Sequence, residues 1–153
     1  MVAAIHLQKG FTLLELIIVL VVSVLGFAVV GSNISSGSQS TRLLAAARDL
    51  ASAFRYAHGQ ALMTRQPVSV MVNLDENSYT ISNRDKVYPL HEQIEVSVVV
   101  AEEEMKEGHE ASIRFFADGS STGGRVTLES GKQLRRIDVN WITGAVTISD
   151  EAA

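Results

Sequence analysis

Three regimes of apolar and polar positions follow one another along the chain. From Phe11 to Val30 only Thr12, Glu15, Ser23 and Gly26 interrupt an apolar run. As a helix rising about 1.5 Å per residue, that run spans roughly 30 Å, the thickness of a bilayer's hydrocarbon core. Residues 32–40, SNISSGSQS, are small and polar and predict emergence into water. From Thr41 the apolar positions Leu43, Ala47, Leu50, Phe54, Ala57 and Ala61 recur at alternating steps of four and three, one stripe down an amphipathic helix. Arg48, Ser52, Arg55 and Gln60 fall off it. The helix is expected to end near residue 64, because Pro67 pushes the residue before it toward extended geometry.

Beyond Pro67 the period falls from 3.6 to 2. Val68, Val70 and Val72 alternate with polar positions, then Tyr79 and Ile81, then Ile94, Val96, Val98 and Val100. Ile113, Phe115 and Ala117 follow, then Val126 and Leu128, then Ile137, Val139 and Trp141, then Val146 and Ile148. Turn residues separate these runs at Asp75–Asn77, Asp118–Gly124, Ser130–Gly131 and Thr143–Gly144. Short connections imply antiparallel pairing. The fold class expected is α+β: a long N-terminal helix, membrane-spanning in its first half, whose second half packs on an antiparallel sheet or a small two-sheet sandwich. The domains read as a leader at 1–10, a transmembrane and assembly helix at 11–31, and a globular domain at 32–153. That last domain holds a helix over about 41–64 and strands over 67–149.

Composition narrows the function. The 153 residues are 46% apolar with a mean hydropathy of +0.17, an excess that resides in the N-terminal run. Past Ser32 there are 12 basic and 16 acidic residues, the same net −4 as the whole chain, which argues against nucleic acid or an anionic membrane surface as the main partner. The absence of cysteine removes disulfides and thiolate chemistry.

The order of features at the N-terminus is not that of an ordinary secretory signal, in which a small-residue cleavage site follows the apolar stretch. Here Lys9-Gly10 precedes it, and Glu15 lies five positions inside it. A carboxylate at hydrocarbon depth costs about 3 kcal/mol on insertion scales. Gln8-Lys9-Gly10-Phe11-Thr12-Leu13-Leu14-Glu15-Leu16 resembles the leader junction of type IV pilins and type II secretion pseudopilins. The resemblance implies cleavage between Gly10 and Phe11 on the cytoplasmic face by a prepilin peptidase, and N-methylation of Phe11. It also implies an assembly role for Glu15, paired with the free amine of a neighbouring subunit's Phe11.

A looser resemblance covers most of the remaining chain. Leu50-Ala51-Ser52-Ala53-Phe54-Arg55-Tyr56-Ala57, Arg65-Gln66-Pro67-Val68, residues 116–124 and 141–146 are similar to segments of the H-type minor pseudopilins and their minor-pilin relatives, the GspH/FimT family. The chain lacks the C-terminal cysteine pair of major pilins, which favours a minor subunit.

Other clusters read as structure. The glycine-rich stretch Gly119–Gly124 lacks the Lys-Ser/Thr ending of a phosphate-binding loop and is expected to be a hairpin loop rather than an anion cradle. His6, His58, His91 and His109 are scattered, and no Gly-x-Ser-x-Gly elbow occurs, so neither catalytic nor metal-binding nor cofactor-binding residues are expected. Residues 102–110, EEEMKEGHE, read as a solvated acidic connection, with a cation site or a docking surface as alternatives. Arg135 and Arg136 point to opposite faces of a strand and split the basic cluster they form with Lys132 and Arg125.

The function expected is that of a minor pseudopilin near the tip of a periplasmic pseudopilus, helping to drive folded proteins across the outer membrane. Its expected partners are other major and minor pseudopilins, the prepilin peptidase, the inner-membrane secretion platform and secreted substrates. Its expected location is the inner membrane, single-pass, with a cytoplasmic N-terminus and a periplasmic globular domain. The alternatives are a minor pilin of a type IV pilus, serving assembly priming or DNA uptake, and a membrane-tethered periplasmic binding module that does not polymerise. Mass spectrometry of the membrane form is expected to find a chain beginning at methylated Phe11, and Gly10→Val is expected to keep the leader. A wild-type chain that retains Met1 in the presence of the peptidase contradicts the processing.

Overall fold

A computed structural model describes residues 12–106 and 109–152, with side chains described except at 27–38, 103, 106, 151 and 152. One helix, α1, runs over Leu13–Thr64, and nine strands follow: β1 Val68–Asn73, β2 Ser78–Ile81, β3 Val87–Pro89, β4 Glu95–Val99, β5 Met105–Lys106, β6 Glu110–Phe115, β7 Gly124–Ser130, β8 Gln133–Val139 and β9 Val146–Ala152. A 3-10 turn over Glu102–Glu104 precedes β5. By its contacts the chain divides into two units, Met1–Ser38 and Gln39–Ala153.

The strands form two sheets, a five-stranded one in the order β3-β2-β1-β6-β5 and a four-stranded one in the order β4-β7-β8-β9. Every pairing is antiparallel. The expected α+β class holds, in its two-sheet form. Period-two alternation fixes which side of each strand is covered: Val68, Val70 and Val72 of β1 are buried and the residues between them only partly so. A one-residue slip would turn all three to the opposite face.

In the second unit α1 contributes the stripe Leu43, Ala47, Leu50, Phe54, Ala57 and Ala61, each with 0% exposure. These side chains join one core cluster with Val70, Ile113 and Phe115 of the first sheet and Val126, Leu128 and Ile137 of the second. Phe54 meets Phe115 at 6.3 Å between ring centroids, within the range where tilted aromatic pairs attract. Alanines at 47, 51, 57 and 61, all fully buried, leave room for the sheets to approach the helix backbone. The helix stops where expected. Thr64 Oγ1 donates to Gln60 O at 2.8 Å, Arg65 turns to a left-handed φ of 55°, and Pro67 follows two residues later.

Four expectations change. The helix does not begin afresh near Thr41: its backbone is helical through 32–40. Serine, asparagine and glycine are weak helix formers, but none breaks a helix as proline does, and propagation from flanking turns is cheaper than a new nucleus. Trp141 and Ala117 are exposed and lie outside the strands. β8 ends at Val139 because Asn140 Oδ1 accepts the backbone N–H groups of Ile142 and Thr143 at 2.9 and 3.1 Å and turns the chain into β9. The stretch Gly119–Gly124 does not join two strands of one sheet: after a tight turn that bridges Ser121 back to Phe115, it carries the chain from β6 in one sheet to β7 in the other. The acidic segment is partly built in as well, since Glu104 is buried and its Oε1 lies 3.5 Å from Arg114 Nη2, while Met105 and Lys106 pair with β6. Strands β3 and β5 are too short for their periodicity to show.

Phe54→Ala removes the largest buried side chain of the stripe and is expected to cost about 3–5 kcal/mol in denaturant unfolding. Arg48→Ala, on the exposed side, is expected to stay within about 0.5 kcal/mol.

Candidate functional site

Gly10 and Phe11 lie outside the described residues, so the site begins at Thr12. Thr12 caps α1: its Oγ1 accepts the Glu15 N–H at 3.2 Å, and its carbonyl accepts the N–H groups of Glu15 and Leu16 at 3.1 and 3.2 Å. Helix starts leave four backbone donors without partners, and the Thr12 hydroxyl supplies one half of a capping box, the returning bond from the Glu15 side chain not being made among the described residues. The signal Thr12-x-x-Glu15 stands in the sequence but is masked there, because Glu15 reads first as a charge within an apolar run. The acidic group at the N-terminal end also complements the helix dipole.

From Leu13 to Leu25 the large apolar side chains are between 49% and 76% exposed. Such a continuous apolar surface marks a protein or membrane contact. Its other polar members are accounted for locally. The Ser23 hydroxyl donates to Val19 O at 2.8 Å, and Gly26 has no side chain. The carboxylate of Glu15, itself exposed, has no hydrogen-bond or ion-pair partner among the described residues. Among those residues no helix is long and apolar enough to cross a membrane; side chains of the apolar run are described only as far as Gly26.

In the second unit, two adjoining depressions of about 390 and 400 Å³ share Asp49, Tyr79 and Tyr88. Tyr79 and Tyr88 stack at 5.0 Å with 7° between their planes. The Arg84 guanidinium sits 3.9 Å from the Tyr56 ring centre and donates to Tyr88 Oη at 3.1 Å. Cations on tyrosine faces at this distance attract, so this cluster clasps the segment after β2 to α1. Burial pushes the Tyr79 hydroxyl up to about 12, with the negative charge of Asp49 and the neighbouring Tyr88 adding to it.

The remaining candidates are structural. His58 Nε2 donates to Gly119 O at 3.0 Å, since a carbonyl only accepts. Gly144, at φ 64°, admits no side chain, because a Cβ there would lie 2.6 Å from Gly119 O and 2.7 Å from His58 Nε2. His91 lies by Arg42 and His109 by Asp75, so the histidines serve three different places. Among the described residues no group of three or more potential ligands gathers to hold a metal. Arg135 and Arg136 are divided as expected. The Nε of Arg135 lies 3.1 Å from Asp150 Oδ1, without the alignment of a hydrogen bond.

A capped apolar helix with a lone carboxylate, followed by a helix stripe on two antiparallel sheets, defines a pilin-like subunit, and comparison with known proteins places it further. Residues 5–31 match the prokaryotic N-terminal methylation motif, and residues 46–144 match the family described as type II transport protein GspH. The chain belongs to that GspH family. It is 30% identical over 138 residues to type II secretion system protein H of Xanthomonas campestris pv. campestris, covering 90% of this chain and 81% of that protein. Its fold matches the minor pseudopilin EpsH from the type 2 secretion system of Vibrio cholerae, with a TM-score of 0.58 at 11% identity over 71% of this chain and 97% of that one. It equally matches the type IV minor pilin FimU of Pseudomonas aeruginosa, with a TM-score of 0.58 at 12% identity over 76% and 96%.

The folded Tyr79 value lies above the ordinary 10.0, so burial of its neutral form stabilises the fold below pH 10, and that contribution is lost as pH rises toward 12. Tyrosinate absorbance is expected to show one late step near pH 12 that Tyr79→Phe abolishes.

Proposed function

We propose that this chain is a minor pseudopilin of type II secretion. In this reading it is an inner-membrane, single-pass subunit with its N-terminus in the cytoplasm and its two-sheet domain in the periplasm. It assembles near the tip of the pseudopilus and helps to drive folded proteins across the outer membrane. Its work is assembly rather than catalysis. The observation that carries the proposal is the Glu15 carboxylate, without a partner among the described residues, on a helix whose apolar side chains are exposed.

The mechanism follows from that charge. Lys9 leaves with the leader when the peptidase cuts between Gly10 and Phe11, and the cut creates a new cation, the amine of Phe11. Within one chain that amine and Glu15 are four residues apart, at the edge of reach on a helix. The amine of an incoming chain, staggered by one subunit, meets the Glu15 of the chain before it. Neutralisation of the pair makes burial of both ends among helices favourable and sets the axial register, while the apolar surface from Leu13 onward supplies contact area. The secretion platform and the other pseudopilins are the partners this requires. Membership of the GspH family and the 30% identity to a type II secretion protein H favour secretion over a type IV pilus.

Glu15→Val and Glu15→Gln both remove the charge while leaving membrane insertion and leader cleavage intact. Both are expected to lower co-purification with the other pseudopilins by about tenfold or more, because breaking a desolvated ion pair strands its partner. Unchanged association and unchanged secretion in both variants would overturn the assembly role and favour a tethered module.

A further inference from the structure

A strand at the margin of a sheet leaves alternate backbone N–H and C=O groups facing outward, a template for another strand. The two sheets have four margins, β3 and β5 in the first and β4 and β9 in the second. Three are blunted. β3 has three residues and ends in Pro89, which has no N–H to donate. β5 has only two residues. β9 runs into Asp150 and Glu151, charges that discourage pairing.

β4 has none of these devices. Its sequence is Glu95-Val96-Ser97-Val98-Val99, without proline and without charge after its first residue. Among the described residues it pairs with β7 alone, and Val99 is 68% exposed. On the outer face of the sheet Glu95 stands directly opposite Glu129. Both are exposed, and like charges at facing positions repel. The next position along that row is Leu134, and the cation on the same face of β8, Arg136, stands only diagonally from Glu129. Neither carboxylate is in an ion pair among the described residues.

We propose that β4 is a strand-accepting edge. It binds an extended segment of another polypeptide and adds it to the second sheet, with β-branched residues beside Val96 and Val98 and a lysine or arginine beside Glu95. Main-chain hydrogen bonds give such a contact its affinity, and the alternating side chains choose the register. A second copy of this chain is a poorer fit. Two β4 strands paired antiparallel about Ser97 set Glu95 against Val99 and leave both carboxylates without a counter-charge. The proposal does not rest on α1 or on Glu15, so it stands or falls separately from filament assembly.

The test uses the full chain in detergent micelles and a fluorescent peptide, Thr-Val-Thr-Val-Lys-Val, followed by anisotropy. Two controls are the same peptide methylated on alternate backbone nitrogens and the peptide with glutamate in place of lysine. The lysine peptide is expected to bind, the methylated one to lose binding, and the glutamate one to bind roughly three- to fivefold more weakly. Glu95→Lys, at an exposed position, is expected to reverse the order of the lysine and glutamate peptides. Four results would overturn the proposal: no binding at millimolar peptide, equal binding of the methylated peptide, an unchanged order in Glu95→Lys, or a peptide-free dimer that Glu95→Lys dissolves.

Discussion

The stripe from Leu43 to Ala61 is the contact on which the two-sheet domain depends. Neither sheet closes on itself, and each has one apolar face that needs a cover. Both faces reach the same cluster, and the helix supplies its centre with side chains that have no exposed surface. Each fully buried leucine or phenylalanine contributes about 1.5–3 kcal/mol by burial. Those positions are spaced so that one face of one helix serves two sheets at once. Small alanines between the larger side chains set how closely the layers meet.

The same helix is a different object in its first unit. Over residues 12–26 the large apolar side chains are exposed, the hydroxyls of Thr12 and Ser23 bond to its own backbone, and the Glu15 carboxylate is left over. A helix surface of that kind is finished only by lipid or by other helices. Lipid can cover the leucines and valines but offers nothing to Glu15, whereas another subunit can cover both. In the proposed assembly, that unpaired charge is what would turn a generic anchor into a position in a filament.

Much of this was legible in the residues, for physical reasons that differ from place to place. The stripe of α1 and the alternation of β1 were plain because period and burial coincide over many residues. The Asx turn at Asn73, whose Oδ1 accepts the N–H groups of Asp75 and Glu76, fell where turn chemistry had put it. Helicity through 32–40 was hidden because propensity was weighed without the cooperativity of the flanking turns. Trp141 was misplaced because an apolar residue in phase with Ile137 and Val139 reads as core, although Asn140 had already turned the chain. Glu104 reads as a solvated charge in sequence because its partner Arg114 lies in a different strand, a pairing no local pattern shows. At the N-terminus the spacing of Gly10, Phe11 and Glu15 was legible as a motif, while the capping of α1 by Thr12 emerged only from the hydrogen bonds.

A photo-cross-linking residue placed at Leu16, beside the carboxylate, in secretion-competent cells tests the central claim most directly. Adducts with the N-terminal helices of other pseudopilins, lost when Glu15 is changed to valine, are the predicted result. Adducts with lipid alone, the same with and without the Glu15 charge, would contradict it.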